Sequence, residues 1–184
     1  MQRRALLRAT LAIPAATLLW QGKAHAHGPT PQKTDAAATI AVPPARLWAL
    51  VGDFGSLAKW HPLVASCTVS GSGRDTKREL VLKPGTSFKG GTLTEGLSEL
   101  KPDAMSILWR LGDENIDAFP VSFYTQSIQL TPAGSATQLA WEGRYYRAET
   151  LNDPPPGQDD AAAIAAMEEF IKAGMAGLAK AVAA

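Results

Sequence analysis

Between Leu63 and Arg147 the hydrophobic pattern has a period of two, and after Asp159 it changes to steps of three and four. That change constrains the fold more than any other feature of the chain. The segments LVASCTVSG, TKRELVLK, GTLTEGLSEL, MSILWRL, VSFYTQSIQL and TQLAWEGRYY are separated by Gly, Pro, Asn and Asp clusters. Six strands at hairpin spacing predict an antiparallel meander. Alternation places Leu80 and Leu82, Leu93 and Leu97, Ile107 and Trp109 on one face. Tyr124, Ile128 and Leu130, then Leu139, Trp141 and Tyr145, continue it. Ile164, Met167, Ile171, Met175, Leu178 and Val182 form a helical stripe behind an Asp159-Asp160 N-terminus. An apolar stripe and an apolar sheet face must cover one another.

Ahead of the strands, ATIAV reads as a first strand stopped by Pro43-Pro44. Leu47, Leu50, Val51 and Phe54 follow at helical spacing, and a second short turn runs from Ser56 to Trp60 before Pro62. The expected architecture is α+β: a helix grip, in which a curved antiparallel sheet wraps a long C-terminal helix, with two short helices after the first strand.

The chain opens with Arg3, Arg4 and Arg8, an uncharged run from Ala9 to Trp20, and Ala24-His25-Ala26. This order is that of a cleavable secretory signal, and the run falls short of the roughly 20 residues a bilayer span needs. The expected organisation is therefore a signal peptide over 1–26, a flexible lead-in over 27–37 and one domain over 38–184. The expected location is the periplasm, without a transmembrane segment in the mature chain. General secretion is favoured, and the Arg3-Arg4 pair admits the twin-arginine route. The mature 158 residues would carry 14 basic and 17 acidic side chains, a formal charge of −3. Such a balance argues against a nucleic-acid surface. Cys67 is the single cysteine, so no intrachain disulfide forms. Its alternation with Ala65 and Val69 predicts a buried thiol.

No phosphate-binding loop, nucleophile elbow, dinucleotide fingerprint or zinc spacing is present, and no cofactor or metal is expected. His61 is the one histidine inside the folded body. As a metal ligand it lacks companions, since a stable site needs three or four side chains. A copper brace with the amine of a newly exposed His27 is the remote exception. As a general base it needs an orienting partner, for which Asp53 and Glu95 are candidates. As a pocket-rim residue beside Trp60, it needs neither, and that reading is preferred. Glu95 falls between Leu93 and Leu97 on the inward face with Gln126. There it would anchor a ligand's polar group, unless a bulge near Gly90-Gly91 or Gly96 turns it outward. Trp109, Trp141, Tyr145, Met167, Phe170 and Met175 serve equally as core or as lining of a cavity.

The segments TIAVPPARLWALVGDFGSLAKWHPLVASC, GTLTEGLSELKPDAMSILWRL and LAWEGRYY resemble the polyketide cyclase/dehydrase and lipid-transport branch of the SRPBCC superfamily. This superfamily is also called START-like or birch-pollen-allergen-like. Within it they are most similar to the exported MxaD-like proteins, named from periplasmic methanol oxidation. The likeness spans roughly residues 37–183, with Trp48, Asp53-Phe54 and Trp60-His61-Pro62 its most specific part. The resemblance implies a hydrophobic cavity and a small apolar or lipid-like ligand, with no agreed catalytic set. It also implies a periplasmic redox protein as a partner. The expected cavity residues are Trp60, His61, Glu95, Trp109, Tyr124, Gln126, Trp141, Tyr145, Met167 and Ile171. The expected function is binding of a small hydrophobic ligand or support of a periplasmic oxidation system of the methanol-oxidation kind. The alternatives are a cyclase or dehydratase acting through His61 or Glu95 and a protein-interaction module acting through its exposed surface.

Overall fold

The structure is a computed structural model that describes residues 29–183. The segment expected as a signal peptide, with its Ala24-His25-Ala26 site, and His27 lie outside the described residues. Among the described residues no helix is long and apolar enough to cross a membrane.

Strand β1 (Gln32–Ile40) is followed by helices α1 (Pro44–Val51) and α2 (Leu57–Trp60). Six strands come next: β2 (Val64–Ser70), β3 (Lys77–Leu82), β4 (Gly91–Lys101), β5 (Ser106–Asp113), β6 (Val121–Ala133) and β7 (Ala136–Arg147). Helix α3 (Asp160–Ala183) closes the chain. All strands join one antiparallel, curved sheet in the order β1-β7-β6-β5-β4-β3-β2. The helix grip expected from the two periods is the observed fold.

The first strand begins earlier than its apolar residues suggest. Gln32 to Ala37, expected as flexible lead-in, pairs in register with β7, from Gln32 opposite Tyr145 to Ala37 opposite Ala140. Backbone pairing along a long β7 holds this polar stretch, and only Ile40 is fully buried. Thr34 also shares a 2.8 Å hydrogen bond with the Tyr145 hydroxyl.

The inward face agrees with the alternation. Leu80, Leu82, Leu93, Ile107, Trp109, Tyr124, Ile128, Leu130, Leu139, Trp141 and Tyr145 are all at most 4 % exposed, and Leu97 is half-buried. The buried line of α3 runs through Ala163, Ala166, Met167, Phe170, Ile171, Gly174, Leu178 and Val182. Ile164 and Met175, expected in that stripe, lie half-buried at its margin. Cys67 is half-buried rather than enclosed, and its neighbour Val69 is 43 % exposed. The turn between the two short helices lies against this part of the edge strand β2: Cys67 Sγ is 3.8 Å from the Phe54 carbonyl oxygen. Burial there raises the thiol pKa, which keeps it a poor nucleophile.

Two glycines let α3 settle close to the other elements. A Cβ on Gly177 would stand 2.0 Å from the Trp60 carbonyl oxygen, and one on Gly174 would stand 2.5 Å from the Trp141 ring. Near the middle of α3, the Glu169 carboxylate accepts hydrogen bonds from the Thr86 and Ser87 amides at 2.8 and 2.7 Å. The β3–β4 loop is thereby tied to the helix.

Candidate functional site

The interior between sheet and α3 divides into a polar cluster, an aromatic cluster and a narrow gap. The polar cluster is built on Glu95, which stays on the inward face although register shifts flank it on the β5 side. Opposite it in the β3–β4 register stands Arg78. Arg78 Nε donates to Glu95 Oε2 at 2.5 Å, with side chains only 5 % and 1 % exposed. Trp109 Nε1 donates to Glu95 Oε1 at 3.1 Å, and the Tyr124 hydroxyl donates to the same oxygen at 2.5 Å. The guanidinium donates from Nη1 to the Phe54 carbonyl oxygen at 2.9 Å. It also lies over the Phe54 and Trp109 rings, 4.1 and 5.1 Å from their centroids. Burial, then the adjacent carboxylate, raises the Tyr124 pKa well above its ordinary value. The phenol therefore remains a donor to Glu95 at any physiological pH. A carboxylate in this position is affordable because a cation and two neutral donors satisfy it together.

The aromatic cluster centres on Trp141. Trp60, His61, Trp109 and Phe170 meet it edge-on, with centroids 6.0 to 6.2 Å away. The Trp141 indole donates to Gln126 Oε1 at 2.9 Å, and the Trp60 indole donates to Ser56 Oγ at 2.9 Å. Among these rings His61 is only 1 % exposed and stacks on Phe170 at 4.1 Å. Its Nδ1 accepts from the Leu63 amide at 3.2 Å, so Nε2 carries the proton and donates to the Phe170 carbonyl oxygen at 3.1 Å. Desolvation lowers its pKa to about 3, outweighing the Phe170 hydrogen bond that raises it. The placement at a wet pocket rim is thus corrected: His61 is an interior, neutral ring with both nitrogens held by backbone. The same engagement leaves no lone pair for a metal. Among the described residues no three His, Cys, Asp or Glu side chains form a metal-binding group.

The gap lies beside these clusters, lined by Leu80, Leu82, Leu93, Phe119, Tyr124, Gln126 and Phe170. All space between its atoms amounts to about 180 Å³, too narrow to seat a water molecule. Ligand pockets begin at roughly 300 Å³ of accessible space and this gap has none, so the rings have filled the cavity that the fold leads one to expect. Of the expected cavity residues, Tyr124 and Gln126 line this gap. Glu95 and Trp109 stand behind Tyr124, Trp141 behind Gln126, and His61 behind Phe170. Trp60 lies one ring further out. Met167 and Ile171 pack on Gly143 of β7, and Tyr145 reaches β1. Ile171 also borders a shallow groove between α3 and β1.

A larger cleft of about 620 Å³ opens at the surface beyond Phe119. It is lined by the β3–β4 loop from Pro84 to Lys89, by Ile116, Asp117 and Pro120, and by Pro156 to Gln158. Sequence reasoning missed this cleft, because three loops build it and none carries a periodic pattern. It also missed Arg78. Alternation held a usable signal there, since Arg78 precedes Leu80 by one period of two and Leu82 by two.

Solved structures share this fold. XoxI from Bacillus cereus aligns at 22 % identity and a TM-score of 0.67, over 82 % of this chain and 95 % of that one. The ZhuI aromatase/cyclase from Streptomyces sp. R1128 aligns at 16 % identity and 0.71, over 84 % and 94 %. Norcoclaurine synthase from Thalictrum flavum aligns at 14 % identity and 0.63, over 84 % and 96 %. No curated protein sequence matches the chain. The family described as polyketide cyclase/dehydrase and lipid transport matches residues 31–183, which include every strand, both short helices and the polar cluster, and the chain belongs to that family.

Proposed function

We propose that this protein is exported and binds a small hydrophobic ligand in the periplasm, as an accessory to an oxidation system of the methanol-oxidation kind. One observation carries the binding part: the two interior side chains that could serve as bases, Glu95 and His61, are engaged by partners within the chain. Glu95 accepts from Arg78, Trp109 and Tyr124, and His61 is neutral with both nitrogens engaged. A general base needs a free lone pair within reach of substrate. An apolar wall with both of these groups engaged behind it favours uptake of an apolar molecule over its conversion. The periplasmic location rests on the basic, apolar and Ala24-His25-Ala26 order of the leader. The accessory role, with a periplasmic redox protein as partner, rests on the resemblance to the exported MxaD-like proteins.

Native mass spectrometry of the protein purified from its own periplasm tests this reading. The expected result is a chain beginning at or near His27 with a small-molecule adduct that denaturation releases. A bound protein partner would support the accessory role. An intact Met1 chain confined to the cytoplasm would refute export.

The cyclase or dehydratase alternative has one observation in its favour: the Tyr124 hydroxyl, hydrogen-bonded to Glu95, lines the gap. If that pair transferred a proton, Tyr124→Phe would lower turnover of the co-purified ligand by about 10²–10⁴-fold while leaving its binding intact. The binding reading expects the released ligand to be recovered chemically unchanged with either protein.

A further inference from the structure

Two packed aromatic side chains stand between the surface cleft and the interior gap, Phe88 on the cleft side and Phe119 on the gap side. Phe119 lines the gap, its neighbour Pro120 lines the cleft, and Phe88 of the cleft meets Phe119 edge-on at 5.0 Å. Phe119 also touches Phe170 and Tyr124 edge-on, at 5.9 and 6.4 Å. It belongs to no strand or helix. The β5–β6 loop carries it, held by the Asn115 side chain, which donates to the Thr92 carbonyl oxygen at 3.1 Å and accepts from the Ala118 amide at 3.2 Å. The opposite lip is fixed to α3 through Glu169. One lip of the passage is therefore tied to the long helix, and the other is a loop held by Asn115 and by backbone bonds from Gly90 to the Ala118 oxygen and from Ala148 to the Pro120 oxygen.

The lining of the gap also selects its occupant. Leu80, Leu82, Leu93, Phe119 and Phe170 are apolar, and the Tyr124 proton is committed to Glu95. Gln126 is oriented by Trp141: an indole only donates, so the amide oxygen must face it and the NH₂ group is left to donate. A charged guest would lose its hydration without a counter-ion on these walls.

We propose that cleft and gap are the two halves of one binding channel, that Phe119 is its gate, and that the guest is an uncharged ring compound bearing an acceptor oxygen. This rests on the ligand-binding reading above and extends it to entry and selectivity. Swinging Phe119 outward joins the gap to the 620 Å³ cleft and brings the guest's carbonyl or ether oxygen to Gln126.

Stopped-flow fluorescence with three naphthalene probes tests the proposal. These are the uncharged ketone 6-propionyl-2-(dimethylamino)naphthalene, the uncharged N-phenyl-1-naphthylamine without an acceptor oxygen, and the anionic 1-anilinonaphthalene-8-sulfonate. The ketone is expected to bind best, with blue-shifted emission. Asn115→Ala loosens the gate loop without touching the channel walls, and should raise the ketone's association and dissociation rates together, by about tenfold, at nearly constant Kd. Phe119→Leu, a smaller plug of similar character, should act in the same direction. Gln126→Leu should lower the ketone-to-arylamine affinity ratio by about tenfold, a ratio that general loss of stability does not move. Rates unchanged in both Asn115→Ala and Phe119→Leu, with the ketone still bound, would overturn the gate and leave the binding reading standing. Sulfonate binding as tight as the ketone, or a ratio untouched by Gln126→Leu, would overturn the guest's chemistry. Failure of every folded variant to bind any probe would overturn the binding reading itself.

Discussion

Arg78 and Glu95 are the residues whose interaction is hardest to replace. Each is buried and each is charged; Glu95 accepts from Arg78 and from two aromatic donors, while Arg78 Nη2 is buried without a partner. A buried ion pair is no guarantee of net stability, because desolvating two charges offsets much of their attraction. Removing one partner is another matter, since the survivor is left uncompensated. Arg78→Met or Glu95→Gln alone should destabilise the protein by about 3–5 kcal/mol. The double variant should lose clearly less than the sum of the two. Urea unfolding of the four proteins in a double-mutant cycle measures this coupling. Additive losses would mean that the two side chains act independently, contrary to their geometry.

At the scale of elements, α3 is positioned by what its glycines omit. Alanine is the better helix former by about 1 kcal/mol, so Gly→Ala in an exposed helix stabilises it. At Gly177 the added carbon would meet the backbone oxygen of Trp60, and at Gly174 the Trp141 ring and His61 Cδ2. The obstacle at Gly177 is backbone, which cannot rotate away, whereas a ring has some freedom. Gly177→Ala is therefore expected to lower the melting temperature despite its helix propensity. Its cost should be roughly 1–3 kcal/mol or more, the range of overpacked sites, with Gly174→Ala milder. Thermal melts followed by circular dichroism decide the order. A melting temperature raised by Gly177→Ala would show that α3 lies further from α2 than this packing.

For the molecule as a whole, His61 couples stability to pH. Its folded pKa of about 3 lies below the ordinary value of 6.5 because burial disfavours the charged ring. Between those two values the unfolded chain binds a proton that the folded chain refuses. The contribution of His61 is thus complete above pH 6.5 and declines as pH falls toward 3. The expected slope is about 1.4 kcal/mol per pH unit well inside that window. Urea midpoints measured at constant salt from pH 7 to pH 4.5 should fall accordingly. The same series for His61→Gln, which cannot charge, should be flatter in this range even if its stability at pH 7 is lower. Parallel curves for the two proteins would place the acid sensitivity elsewhere.

The elements and their inward faces were legible from the sequence, because side-chain direction in a strand or helix is set by local backbone geometry. Leu80, Trp109, Tyr124, Trp141 and Ile171 all lie where period two or period 3.6 puts them. The likeness in TIAVPPARLWALVGDFGSLAKWHPLVASC was likewise enough to name the family that matches residues 31–183. Pairing was not legible. Gln32 to Ala37 became strand through hydrogen bonds to β7, more than a hundred residues away. His61 went to the interior because Leu63 and Phe170 supply backbone partners for its nitrogens, and Glu95 stayed inward because Arg78 stands across the register. The gap shrank to about 180 Å³ and the open cleft arose among three loops. These outcomes depend on how residues distant in the chain fill shared space and satisfy one another's polar atoms, and no local pattern records that.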